Sequence, residues 1–201
     1  MSARDANRRG LGSVMKNGVL VLSGPPCSGK SDVGRVLAPD WSRTSRHYIA
    51  VDSIFSLLLP GSERSMPDRM LAYDAAHTLA RMLFDRGRTP ILECTYSRRR
   101  QRASLVQALA DIPGAPLWVV EFSVPPDEAV DRYRHSPSHQ ATDLTEQLVR
   151  ERALTFPYSE QALQVASATA SAVALARDVT AWLRDQPASI DRDRWAAAGK
   201  A

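Results

Sequence analysis

Residues Gly24 to Ser31 read GPPCSGKS and directly follow the apolar run Val19 to Leu22. Their spacing, G-x-x-x-x-G-K-[ST], is that of a phosphate-binding loop, in which consecutive main-chain N–H groups wrap a nucleotide's phosphates and a lysine reaches the β and γ groups. Gly24 and Gly29 permit the backbone turns such a wrap demands, and Pro25, Pro26, Cys27 and Ser28 complete it. Lys30 supplies the charge. Ser31 offers a hydroxyl to a Mg²⁺ ion, and the helix that starts at the loop's end turns its positive dipole end toward the same anion. Of 26 basic residues only Lys16, Lys30 and Lys200 are lysines, so the loop keeps a compact ammonium in a chain that otherwise uses arginine.

A loop of this kind needs a strand before it and a helix after it, and the rest of the chain repeats that alternation. Strands are expected at Val19–Leu22, His47–Val51, Pro90–Glu93, Leu117–Phe122 and Leu163–Ala166. Helices are expected from Lys30 to Ala38, Asp68 to Arg86, Arg98 to Ala110, Asp127 to Arg134, Leu144 to Leu154 and Ala172 to Leu183. In the long Asp68–Arg86 helix, Leu71, Ala75, Leu79, Met82 and Leu83 recur at helical spacing and predict the buried stripe. The class is α/β, a mostly parallel sheet with helices on both faces. Ligands of such sheets sit beyond the carboxyl ends of the strands, which singles out Asp52 and Glu93 beside the phosphate loop.

The chain's 201 residues, 44% hydrophobic, suit one folded unit over residues 18–185, with a flexible tail at 1–17 and a loosely held one at 186–201. A net charge of +4 accommodates an anionic ligand without demanding nucleic acid. Cys27 and Cys94 form neither a disulfide framework nor a zinc spacing. With no apolar run of membrane length and no signal-peptide core, a cytoplasmic protein is expected.

Phosphoryl transfer asks a protein for phosphate clamps, a metal and a group that orients or deprotonates the nucleophile. Asp52 fits the last role, although the same residue would also cap a following helix. Glu93 can hold a water of the magnesium shell or orient an arginine. Arg98, Arg99, Arg100 and Arg102 crowd a helix start, where cations are disfavoured unless an anion compensates them. Arg132 and Arg134 precede a polar loop and suit a lid, residues 132–143, closing on ATP. His77 reads as a structural histidine. The four tryptophans read as packing or surface residues, since no basic and aromatic interleaving accompanies them.

With these residues in place, the stretch from Val19 to Leu183 resembles the small P-loop kinases of the nucleotide-kinase-like group, often labelled AAA-type although they lack the additional AAA+ helical domain. The likeness rests on GPPCSGKS, VDS at Asp52, ILECTYSRRRQRASL and DRYRHSPSHQATDLT. It implies a three-layer fold with a five-stranded parallel sheet, Mg·ATP as donor, a strand-two Asp (Asp52) as base and a lid arginine, Arg132 with Arg134 as alternate. Two departures stand out. Glu93 replaces an Asp, and Phe55 stands where members acting on polynucleotide ends carry an Arg, so VDSIFSLLLP is more similar to the acceptor side of chloramphenicol phosphotransferases.

The resulting expectation is an ATP- and Mg²⁺-dependent kinase acting on a hydroxyl of a small, largely uncharged acceptor, with no membrane partner. Catalysis would rest on Asp52, Lys30 and Arg132, and the metal on Ser31 and Glu93. The rivals are a nucleic-acid-end or nucleotide kinase, and an ATP-hydrolysing switch without an acceptor.

Overall fold

A computed structural model describes residues 17–38, 46–135, 143–168 and 170–201. All but the last residue of the expected tail at 1–17, and most of the expected lid, therefore lie outside the described residues. Five strands, β1 (Val19–Ser23), β2 (Arg46–Ala50), β3 (Thr89–Glu93), β4 (Leu117–Ser123) and β5 (Leu163–Ala166), form one sheet in the order β2-β3-β1-β4-β5. Every pairing is parallel, with Leu20 opposite Ile91 and Trp118, and Ala50 opposite Glu93. All strand ends that carry polar residues thus open on one edge of the sheet, with β1 and its loop in the middle.

The period-two alternation of β1 sorts the core into two layers. Val19 and Val21 pack with residues of helices α2 (Val51–Leu58), α3 (Met66–Asp85), α4 (Arg99–Ala108) and α8 (Arg192–Ala197). Leu20 and Leu22 pack with α1 (Lys30–Leu37) and α7 (Ala172–Arg184) on the opposite face. The pair α5 (Pro126–Arg134) and α6 (Glu146–Leu154) holds a small separate cluster of Val124, Ala129, Val130, Leu144, Val149 and Ala153.

Three expectations are corrected. On α3 the buried row is Ala72, Ala76 and Ala80 with Tyr73 and His77, while Leu71, Leu79 and Met82 are exposed. Small residues every fourth position let this helix lie close to the sheet and α4, so backbone proximity outweighs side-chain bulk. Asp52 does not end a strand but sits in the first turn of α2, where Ala50 is the N-cap and no side chain caps. Residues 186–201 are not loosely held. Trp195 is fully buried, Ile190 and Ala196 are in the core, and Gly199 packs so tightly on Arg98 and Arg99 that a Cβ would lie 2.5 Å from the Arg99 nitrogen.

His77 is satisfied structurally: Nδ1 bonds Ser104 Oγ (2.8 Å) and Nε2 bonds Tyr96 OH (2.9 Å). Burial holds its pKa down at about 3. The native protein therefore keeps His77 neutral where the unfolded chain, titrating near 6.5, takes up a proton. Stability from this residue is complete above pH 6.5 and is lost as pH falls toward 3, by about 1.4 kcal/mol per pH unit. Urea unfolding between pH 7 and pH 4 should show this slope, and His77→Gln should flatten it by one proton; equal slopes would contradict the assignment.

Candidate active site

The phosphate loop takes the expected strained path, with Gly24 at φ 146°, Gly29 at φ 78° and even Cys27 at φ 60°. At Gly24 a Cβ would come within 2.6 Å of the Phe122 carbonyl oxygen, so only glycine fits there. Gly29 is the N-cap of α1, whose first turn carries Lys30 and Ser31. Lys30 is buried and folds over its own loop, donating to Pro25 O (2.7 Å) and Ser28 Oγ (3.3 Å). That places its ammonium inside the anion cradle, satisfied by weak neutral acceptors that a phosphate would outcompete.

Arg132 lies over the loop from α5. It donates to Cys27 O (3.2 Å), Ser167 Oγ (3.1 Å) and Ser167 O (2.8 Å), and Glu128 holds its other edge at 2.5 Å. Ser167, just after β5, is a partner no sequence pattern marked. Arg134 goes elsewhere: it forks onto Glu146 across the lid (2.9 and 2.7 Å) and does not line the cavity. Of the two lid arginines only Arg132 reaches the loop.

Glu93, at the end of β3, is buried and its Oε2 accepts from Ser31 Oγ (3.2 Å) and from Tyr48 OH (2.9 Å). Burial pushes its carboxyl up from the usual range and the Asp52 charge adds to this, while Lys30, Tyr48 and Ser31 pull it back. Tyr48 is the second residue missed in the sequence; α1 makes room for it at Gly34, where a Cβ would meet its ring at 2.3 Å.

Asp52 shares the cavity with the loop. Its Oδ1 accepts from Arg64 Nη1 at 2.8 Å, and Oδ2 carries no hydrogen-bond partner among the described residues. Arg64 is itself buried, with a left-handed backbone (φ 59°), and its guanidinium lies 4.5 Å over the Phe55 ring. Phe55 is thus a platform for an arginine delivered from another loop, while Leu57 and Leu58 of the VDSIFSLLLP segment face solvent. Beside it, Arg69 pairs with Asp143 at 2.6 Å.

The arginine run at α4 divides as well. Arg102 is wholly buried away from the loop, bonded to Glu121 and to the carbonyls of Tyr96, Trp195 and Pro157. Arg98 lines the cavity with Gln101, whereas Arg99 and Arg100 do not. The whole cavity is about 1140 Å³, room for a nucleotide and a second small molecule. Its halves follow the strand order. The ends of β1, β4 and β5 bring the loop, Arg132 and Ser167, while those of β2 and β3 bring Asp52 and the Glu93–Arg98 segment.

A family profile described as AAA domain matches residues 19–157. Similar solved structures include a sugar kinase from Janibacter sp. HTCC2649 (15% identity, 92% of this chain and 99% of that one, TM-score 0.61). Others are a gluconokinase from Sinorhizobium meliloti 1021 (19%, 85% and 94%, TM-score 0.60) and the Mycobacterium tuberculosis APS kinase CysC in complex with AMPPNP and APS (19%, 84% and 98%, TM-score 0.65). At these identities the likeness shows the fold, that of P-loop kinases. No curated protein matches the sequence. Among the described residues no helix is long and apolar enough to cross a membrane.

Proposed function

Because the chain belongs to the AAA domain family and has the fold of the P-loop kinases, we propose that it transfers the γ-phosphoryl group of ATP to a hydroxyl of a small molecule. The observation that carries this is the pairing, in one cavity, of a phosphate loop with a carboxylate anchored at one oxygen and open at the other. Lys30 and the loop amides would hold the β and γ phosphates. The acceptor oxygen attacks the γ-phosphorus, the bond to the β–γ bridging oxygen breaks, and the acceptor proton passes to Asp52 Oδ2. Charge developing on the departing ADP and the equatorial oxygens meets Lys30 and Arg132.

The donor set also suits magnesium. Ser31 Oγ and Glu93 Oε2 are hard oxygens 3.2 Å apart beside the loop, as a small octahedral ion prefers. Ser31 would hold the ion directly and Glu93 through water, and the bound ion would neutralise phosphate charge.

The test is mass spectrometry on sugars, antibiotics, nucleosides and oligonucleotides incubated with the protein and Mg·ATP, with calorimetric titration of Mg·ATP alongside. One added phosphate on a small hydroxyl compound, lost when magnesium is chelated, is the expected result. Phosphate only on oligonucleotide ends would replace this reading with the nucleic-acid-end kinase. ATP hydrolysis with no phosphorylated acceptor would favour a switch, and absence of nucleotide binding would overturn all three.

A further inference from the structure

Gly34 stands in the interior of α1, where a glycine weakens a helix. Its backbone does not call for glycine, because its φ is not positive. Space does: a Cβ there would collide with Cε2 and Cδ2 of the Tyr48 ring. Ser31 is three residues earlier and so on the same side of the helix. That side of α1 therefore offers a gap that seats the Tyr48 ring and, one turn nearer the phosphate loop, the Ser31 hydroxyl.

The two hydroxyls meet on one atom. Tyr48 OH donates to Glu93 Oε2 at 2.9 Å, and Ser31 Oγ donates to the same oxygen at 3.2 Å. Tyr48 comes from β2, where it lies opposite Ile91 while Ala50 lies opposite Glu93, so its ring rises from below the strand end to reach the carboxylate. Glu93 Oε1 has no hydrogen-bond partner among the described residues, and Ser31, Tyr48 and Glu93 all line the cavity. A carboxylate with one donor can pivot about that bond. A second donor on the same oxygen, delivered from a different element, fixes which oxygen stays open, and orientation of this kind is how groups bonded to a metal's ligands set its affinity.

Resting on the kinase reading and its magnesium assignment, we propose that Tyr48 is a positioning residue for the metal. By holding Glu93 Oε2 it leaves Oε1 for the water shell of the ion that Ser31 binds, and position 34 is glycine to admit the ring that does this.

The test measures AMPPNP affinity by calorimetry in excess Mg²⁺ and in EDTA. The ratio of the two reports how the protein couples ion to nucleotide, and magnesium binding by free AMPPNP enters every variant's ratio equally. Tyr48→Phe, which keeps the ring in its gap, should lower the ratio about tenfold or more and leave the affinity in EDTA unchanged. Gly34→Ala, which keeps the hydroxyl but displaces the ring, should lower the ratio as well. In a Glu93→Ala background neither substitution should lower it further. Three results would overturn the positioning role and leave the kinase reading standing: a Tyr48→Phe ratio equal to the parent's, equal weakening with and without Mg²⁺, or the same drop when Glu93 is already alanine. Failure of AMPPNP to bind the parent in either medium would overturn the kinase reading itself.

Discussion

An Asp52→Ala variant is expected to lose phosphoryl transfer by about 10²–10⁴-fold while binding Mg·ATP as the parent does. Binding should persist because the groups proposed to hold the nucleotide, Lys30, Arg132 and the loop amides, do not hydrogen-bond to Asp52. Transfer should fail because Asp52 is the carboxylate that Arg64 holds on the side of the cavity away from the loop, whereas Glu93 is turned to Ser31 and Tyr48 beside the loop. Arg64→Lys adds a finer reading. Lysine keeps the charge but not the fork that lies on Phe55 and grips Oδ1, so kcat should fall about tenfold with nucleotide affinity intact. Single-turnover measurement with an acceptor found by the mass-spectrometric screen checks both. Full transfer by Asp52→Ala would remove the base from the mechanism.

How much of this site could be read in the sequence follows from where its parts lie along the chain. The phosphate loop is contiguous, and its glycines, lysine and serine are constrained one by one by the ligand, so the pattern alone placed it. Strands β1 and β4 are apolar runs buried on both faces and were equally legible, as the parallel sheet requires. Arg64 was not legible. It sits in a polar turn between helices, and its meeting with Phe55 and Asp52 depends on how α2 and α3 pack. Arg102 escaped for a related reason: four arginines so close together cannot share one side of a helix, but nothing in the run says that α4 turns Arg98 to the cavity and Arg102 into the core. The available signal was Glu121, a charge inside the apolar strand β4 that demands a buried cation. Helix α8 escaped because six residues are too few for a periodic pattern, and its one strong anchor, Trp195, has no sequence neighbour that marks it.

That buried pair carries the second large effect. Arg102 and Glu121 are both fully inaccessible, with Nη2 3.4 Å from Oε1. Burial pulls the arginine's pKa down and pushes the glutamate's up, so each ion is costly to keep and relies on its partner. The other bonds complete the compensation: the Ser159 N–H reaches Glu121 Oε2 at 2.6 Å, and Arg102 spans the carbonyls of Tyr96, Pro157 and Trp195 while lying 5.2 Å from the Trp195 ring. Removing one partner strands the other charge, and Glu121→Leu should cost about 3–5 kcal/mol in urea unfolding. Arg102→Met should cost as much, and the two together less than the sum, because the double variant buries no orphan ion. Arg102→Met should also remove the bond to the Trp195 carbonyl on α8, whereas Glu121→Leu leaves that bond in place. Additive losses in the double variant would mean that the two charges act independently, and an Arg102→Met protein with unaltered stability would show that the C-terminal helix is held without the Arg102 bond.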